Sequence, residues 1–107
     1  MKNKLPDPHD LIKLPVLYQG CRNKALVREK YRRLQKNLCW FCHSSLDKGT
    51  PDSFRKLYPI TGQELQDIFP PGFMDYPVHL HHDHSSGWTK GAVHNYCNAI
   101  MFVYFGS

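Results

Sequence analysis

Apolar residues recur at helical spacing in one clear stretch of this chain. Across residues 22–37 and just beyond, Val27, Tyr31, Leu34 and Leu38 fall three or four positions apart, with no Pro or Gly between them. That pattern predicts a helix with one buried stripe. Its other face carries Arg22, Lys24, Arg28, Lys30, Arg32, Arg33 and Lys36. Upstream, Pro6, Pro8 and Pro15 remove backbone donors and disfavour helix, so residues 1–20 read as an extended arm. Leu11, Ile12, Leu14, Val16 and Leu17 are its candidate packing positions. Residues 43–60 read as irregular, with a turn at Gly49-Thr50-Pro51-Asp52. Thr61 and Glu64 have the form of a capping box, and Leu65, Ile68 and Phe69 continue it as a two-turn helix until Pro70-Pro71-Gly72. Val78 to His82 then reads as a strand, Ser85 to Gly87 as a loop and Trp88 to Val93 as a second strand. A last helix runs from Asn95, its candidate N-cap, to about Phe102.

Composition narrows this picture. A chain of 107 residues holds one domain, near the size at which a bound metal often supplements the core. The expected organisation is a single α+β domain over 1–107. It has the arm at 1–20, the basic helix at 22–37, and a zinc-stapled core at 39–107 with an insert at 43–77. No apolar leader opens the chain, and its nearest candidate for a spanning segment, Ala99 to Phe105, is too short. A soluble cytoplasmic protein with no membrane partner is the expectation. The net charge of +5 is uneven: residues 1–42 carry ten Lys/Arg against three Asp/Glu, residues 43–78 three against five. The basic part fits either a polyanion such as nucleic acid or a solvated helix face.

The cysteines separate by spacing. Cys39-x-x-Cys42 places two thiolates on one edge of a tetrahedron, and His94-x-x-Cys97 supplies the opposite edge. The 51 residues between the pairs exclude a two-Cys two-His finger. Without a secretory signal this spacing argues for a structural Zn²⁺ rather than disulfides. Such an ion would tie the turn after the basic helix to the C-terminal helix. Cys21 lies outside any motif and reads as an ordinary packed thiol.

The densest chemistry lies at Leu80-His81-His82-Asp83-His84. His81 to Gly87, Lys90-Gly91 and His94-Asn95-Tyr96-Cys97-Asn98 together resemble the HNH nucleases, especially the recombination endonuclease VII group. That group shows C-x-x-C, D-H-D-H-x-T-G, a basic residue with Gly, and C-x-x-C-N. The resemblance covers residues 39–42 and roughly 78–102. It implies a zinc-bound ββα-metal core and a metal-dependent endonuclease acting on DNA, double-stranded in the first instance, leaving a 3′ hydroxyl and a 5′ phosphate. It puts Cys39, Cys42, His94 and Cys97 on zinc, His82 at the general base, and His81 and Asn98 on a catalytic divalent cation. His81 stands where the group has a metal-binding Asp. The site becomes softer, so Mg²⁺ is less favoured and Mn²⁺, Ni²⁺, Co²⁺ or Zn²⁺ more tolerated. The junction-resolving members continue well past this finger, so junction resolution is not implied. The size and the resemblance associate the chain with phages or mobile elements.

These residue types suit the chemistry on their own terms. Phosphodiester hydrolysis needs a base near the working pH and a cation beside the scissile phosphate. Neighbours on a strand point to opposite sides, which lets His81 and His82 take separate tasks. Asp83 or His84 can orient a catalytic histidine, and His84 can equally be a further ligand or phosphate contact. Arg28, Arg32, Arg33 and Lys90 are candidate phosphate contacts. His9, His43 and His79 are assigned no role. One site per chain makes nicking the expected outcome, and the apolar run Ile100 to Phe105 is either core or a dimer seam, so monomer and homodimer stay open. A non-catalytic, zinc-stabilised nucleic-acid-binding module is the alternative, with His81 in place of Asp as its best support. A protein-interaction module using the acidic 43–78 segment is a second.

Overall fold

The computed structural model describes residues 7–106. A short 3₁₀ turn at Pro8–Leu11 precedes α1 (Lys24–Leu34), α2 (Asp52–Leu57) and α3 (Gly62–Ile68). Strands β1 (Val78–His82) and β2 (Thr89–His94) follow, and α4 (Asn95–Phe105) ends the fold. The strands pair antiparallel, with Leu80 opposite Ala92, His81 opposite Gly91 and His82 opposite Thr89, and the register breaks between His81 and His82. The chain is therefore α+β, as expected. Among the described residues no helix is long and apolar enough to cross a membrane.

The basic helix is shorter than 22–37. Lys36 and Asn37 take φ values of 55° and 60°, left-handed backbone that a helix cannot continue through. Val27 and Tyr31 are buried as the spacing demands, whereas Leu34 is 66% exposed. The chain turns away directly after Leu34, so the stripe ends there. Gln35 spans the gap to the sheet: its Oε1 accepts from Ala92 N–H and its Nε2 donates to Ala92 C=O, both at 2.9 Å. It caps the outer edge of β2 as a neighbouring strand would.

The arm is not a loose extension. Residues 1–6 lie outside the described residues. Beyond the 3₁₀ turn, Ile12, Leu14, Val16 and Tyr18 pack against the core, while Leu11 and Leu17 point outward. Residues 16–18 run antiparallel to 87–89: Thr89 N–H donates to Val16 C=O at 2.9 Å and Tyr18 N–H to Gly87 C=O at 2.9 Å. Lys30 Nζ on α1 donates to the Ile12 carbonyl.

The insert is likewise more ordered than an irregular segment. α2 starts after Pro51 with Asp52 in its first turn, where a carboxylate meets the positive helix end. α3 has the capping box the sequence announces: Glu64 N–H reaches Thr61 Oγ1 at 3.1 Å, and Thr61 N–H reaches Glu64 Oε1 at 3.0 Å. Phe54, Tyr58, Leu65 and Phe69 pack with Ile60 onto Tyr96, Ala99 and Ile100 of α4. α4 itself continues past Phe102 to Phe105 and stops at Gly106, φ 73°. His94, not Asn95, occupies its N-cap position; Asn95 Nδ2 donates to Met74 C=O, and its Oδ1 accepts from Tyr96 N–H at 2.7 Å.

Candidate functional site

The turn after α1 is a tight hairpin. Cys39 N–H donates to Ser44 C=O at 2.8 Å and His43 N–H to Cys39 C=O at 2.9 Å, while Cys42 N–H points at Cys39 Sγ, 3.5 Å away. This brings both thiols to one edge. The end of β2 and the first turn of α4 deliver His94 and Cys97 to the other. All four are buried, and their ligand atoms lie within 4.8 Å of one another. His94 Nδ1 sits 3.4 Å from Cys42 Sγ and 3.5 Å from Cys97 Sγ; a tetrahedral zinc site has such edges at about 3.5–3.8 Å. His94 Nε2 lies 2.8 Å from the Ser45 carbonyl and donates to it, which turns the Nδ1 lone pair toward the sulfurs. Hydrogen bonding from Cys97 holds the Cys39 thiol far below its ordinary pKa, while that bond and burial raise Cys97, and burial raises Cys42. One thiolate is thus already favoured. The Cys39, Cys42, His94 and Cys97 group can hold a zinc ion.

Strand alternation places His79 and His81 on one face of β1. Both meet Asn98, one helical turn into α4. Asn98 Oδ1 accepts from His81 Nδ1 at 3.1 Å, and Asn98 Nδ2 donates to His79 Nδ1 at 3.1 Å. His81 is almost enclosed, 2% exposed, with the Trp40 ring 5.5 Å from its own. At the register break His82 leaves the pleat, as bulges allow. Its ring stacks on Tyr18, with centroids 3.9 Å apart and planes 12° from parallel, and His84 meets it edge-on at 4.8 Å. His79, His82, His84 and Asn98 line a cleft of about 460 Å³, together with Lys24 and Arg28 of α1 and Pro70 to Phe73 of the insert. Burial holds His79, His81 and His82 below their ordinary pKa, and His84 adds to the effect on His82. Neutral imidazoles at neutral pH can accept a proton or bind a cation.

The chain matches no family model, no curated protein and no solved structure.

Its basic residues divide by what holds them. Arg28 reaches the cleft and makes no ion pair among the described residues. Arg32 is bound to Asn37 Oδ1 at 2.7 Å and to Asp47 at 3.2 Å, and Arg33 to Asp7 at 2.9 Å. Lys90 faces Asp83 at 3.6 Å and does not line the cleft. Asp83 Oδ1 accepts from Ser85 N–H, Ser85 Oγ and Ser86 N–H, so Asp83 shapes the loop and makes no hydrogen bond to a histidine. Sequence reasoning passed over three residues of this site. His79 was detectable: it sits two positions before His81, hence on the same strand face. Lys24 is four before Arg28 on one helix face. Tyr18 carries no local signal, because its partner is 64 residues away in the chain.

Proposed function

We propose that this protein is a metal-dependent endonuclease of the HNH type, a zinc-stabilised ββα-metal fold that hydrolyses phosphodiester bonds in DNA. The observation that carries this reading is that His82 and Asn98 line one cleft, with the enclosed His81 hydrogen-bonded to Asn98 behind its wall. They meet where an antiparallel strand pair hands over to a helix, with Lys24 and Arg28 alongside. His82 takes a proton from water onto an imidazole nitrogen. The water oxygen attacks phosphorus, the bond from phosphorus to the 3′ oxygen breaks, and that oxygen collects a proton from solvent. Asn98 Oδ1 and His81 Nδ1, the latter in the tautomer that carries its proton on Nε2, would hold a divalent cation in place of their mutual hydrogen bond; such a cation, when bound, neutralises charge on the phosphate and the leaving oxygen. A nitrogen and an amide oxygen, without a carboxylate, suit Mn²⁺ or Ni²⁺ better than Mg²⁺. His79 accepts from the Asn98 amide nitrogen and so keeps Oδ1 turned toward His81. Arg28 and Lys24 hold neighbouring phosphates. One site per chain makes a nick the product.

The test is relaxation of supercoiled plasmid by zinc-loaded protein with Mg²⁺, Mn²⁺, Ni²⁺ or no added cation, beside His82→Ala. Nicking with Mn²⁺ or Ni²⁺ is expected, falling about 10²–10⁴-fold in the variant, the range of general-base catalysis, with zinc content and DNA affinity retained. A second reading, a non-catalytic nucleic-acid-binding module, is favoured by the enclosure of His81 and its lack of a carboxylate. DNA binding by the wild type without nicking in any cation would select it.

A further inference from the structure

A general base works only if its ring is held, and hydrogen bonding to a third group is the usual way of holding it. The His82 imidazole makes no hydrogen bond among the described residues. The neighbouring carboxylate, Asp83, is committed to Ser85 and Ser86. What contacts the imidazole instead is a pair of rings: Tyr18 face to face at 3.9 Å, and His84 edge-on at 4.8 Å. The geometry points to Tyr18 as a positioning residue for His82, with the N-terminal arm as the element that delivers it. This inference rests on the nuclease reading above.

The delivery is specific. Val16 bonds Thr89 through both backbone groups, its N–H reaching Thr89 Oγ1 at 3.0 Å and its C=O accepting from Thr89 N–H at 2.9 Å. Thr89 is the residue opposite His82 in the strand pair, and its hydroxyl also meets Tyr31 of α1 at 2.8 Å. Period-two alternation from Val16 turns Leu17 outward and Tyr18 inward, onto the imidazole that has left the pleat at the bulge. Lys24 Nζ lies 4.7 Å from the Tyr18 ring, so the ring bridges the candidate base and a cation of the phosphate-facing helix. A ring added from outside the strand pair thereby fixes the plane of the base.

The experiment compares full-length, zinc-loaded wild type with Tyr18→Leu, Tyr18→Ala and Tyr18→Phe. It measures kcat and KM for plasmid nicking and the ring-proton resonances of His82, assigned by their loss in His82→Ala. Expected for Tyr18→Leu and Tyr18→Ala is a kcat lower by roughly ten- to a hundredfold, as for small misplacement of a reacting group. KM should stay within about twofold, and the His82 ring protons should move downfield as the shielding Tyr ring departs, with Tyr18→Phe restoring both readouts. Unchanged kcat and unmoved His82 resonances in Tyr18→Leu would overturn the inference. So would a loss confined to KM, which would make Tyr18 a substrate contact. The wild type failing to nick at all would remove the nuclease reading and this role with it, whereas nicking indifferent to Tyr18 removes this role alone.

Discussion

His82 can act as a base only while it is neutral, and its surroundings set when that holds. Burial, with His84 and His81 nearby, keeps its pKa below the ordinary 6.5. The proton-accepting form therefore prevails at and above pH 6.5 and is lost as the pH falls through the lowered value. The kcat for nicking should hold near neutrality and fall as the pH drops below the ordinary histidine range; a decline that begins above pH 7 would point to a different base. Residue identity was readable where chemistry imposes spacing. The two x-x pairs named all four members of the buried Cys/His group, and the His81–Asn98 contact falls on residues singled out by motif. What spacing could not convey was commitment. Arg32 and Arg33 look like Arg28 in the sequence, yet carboxylates of Asp47 and Asp7 hold them elsewhere.

At the level of elements, β1 could be read to its ends because Val78 to His82 combines β-branched and alternating positions before a polar loop. Helix α2 could not: six residues with only Phe54 and Leu57 as apolar markers do not complete a stripe. Its order comes from the aromatic cluster on α4, a tertiary cause. The arm shows the same limit, since its hydrogen bonds join positions 73 apart. One hydroxyl is central to how the insert is fastened: Tyr96 Oη accepts from Ile60 N–H at 2.8 Å inside the fold. Tyr96→Phe leaves that donor buried and unpaired, and should cost about 1–3 kcal/mol. Thermal unfolding of the metal-loaded variant measures this; a midpoint equal to wild type would mean that water or a shifted carbonyl replaces the hydroxyl.

Taken as a whole, the molecule gathers its buried apolar residues into two clusters. The Cys39, Cys42, His94 and Cys97 group sits within the first, joining the turn after α1 to the β2–α4 corner. Strong chelation should therefore abolish cooperative unfolding, and adding back one equivalent of Zn²⁺ should restore it. Co²⁺ in its place should give the intense visible absorption of a tetrahedral thiolate complex. A chelated protein that melts as before would show that the core stands without the ion. The long separations have one more consequence, in time rather than in space. On the ribosome, Cys39 and Cys42 emerge long before His94 and Cys97, and Tyr18 waits for strand β2 before it can stack on anything. Contacts so distant along the chain close late. A nascent chain that has reached only α3 possesses neither a complete metal centre nor an oriented His82, so translation itself postpones the moment at which the proposed DNA-cutting site forms.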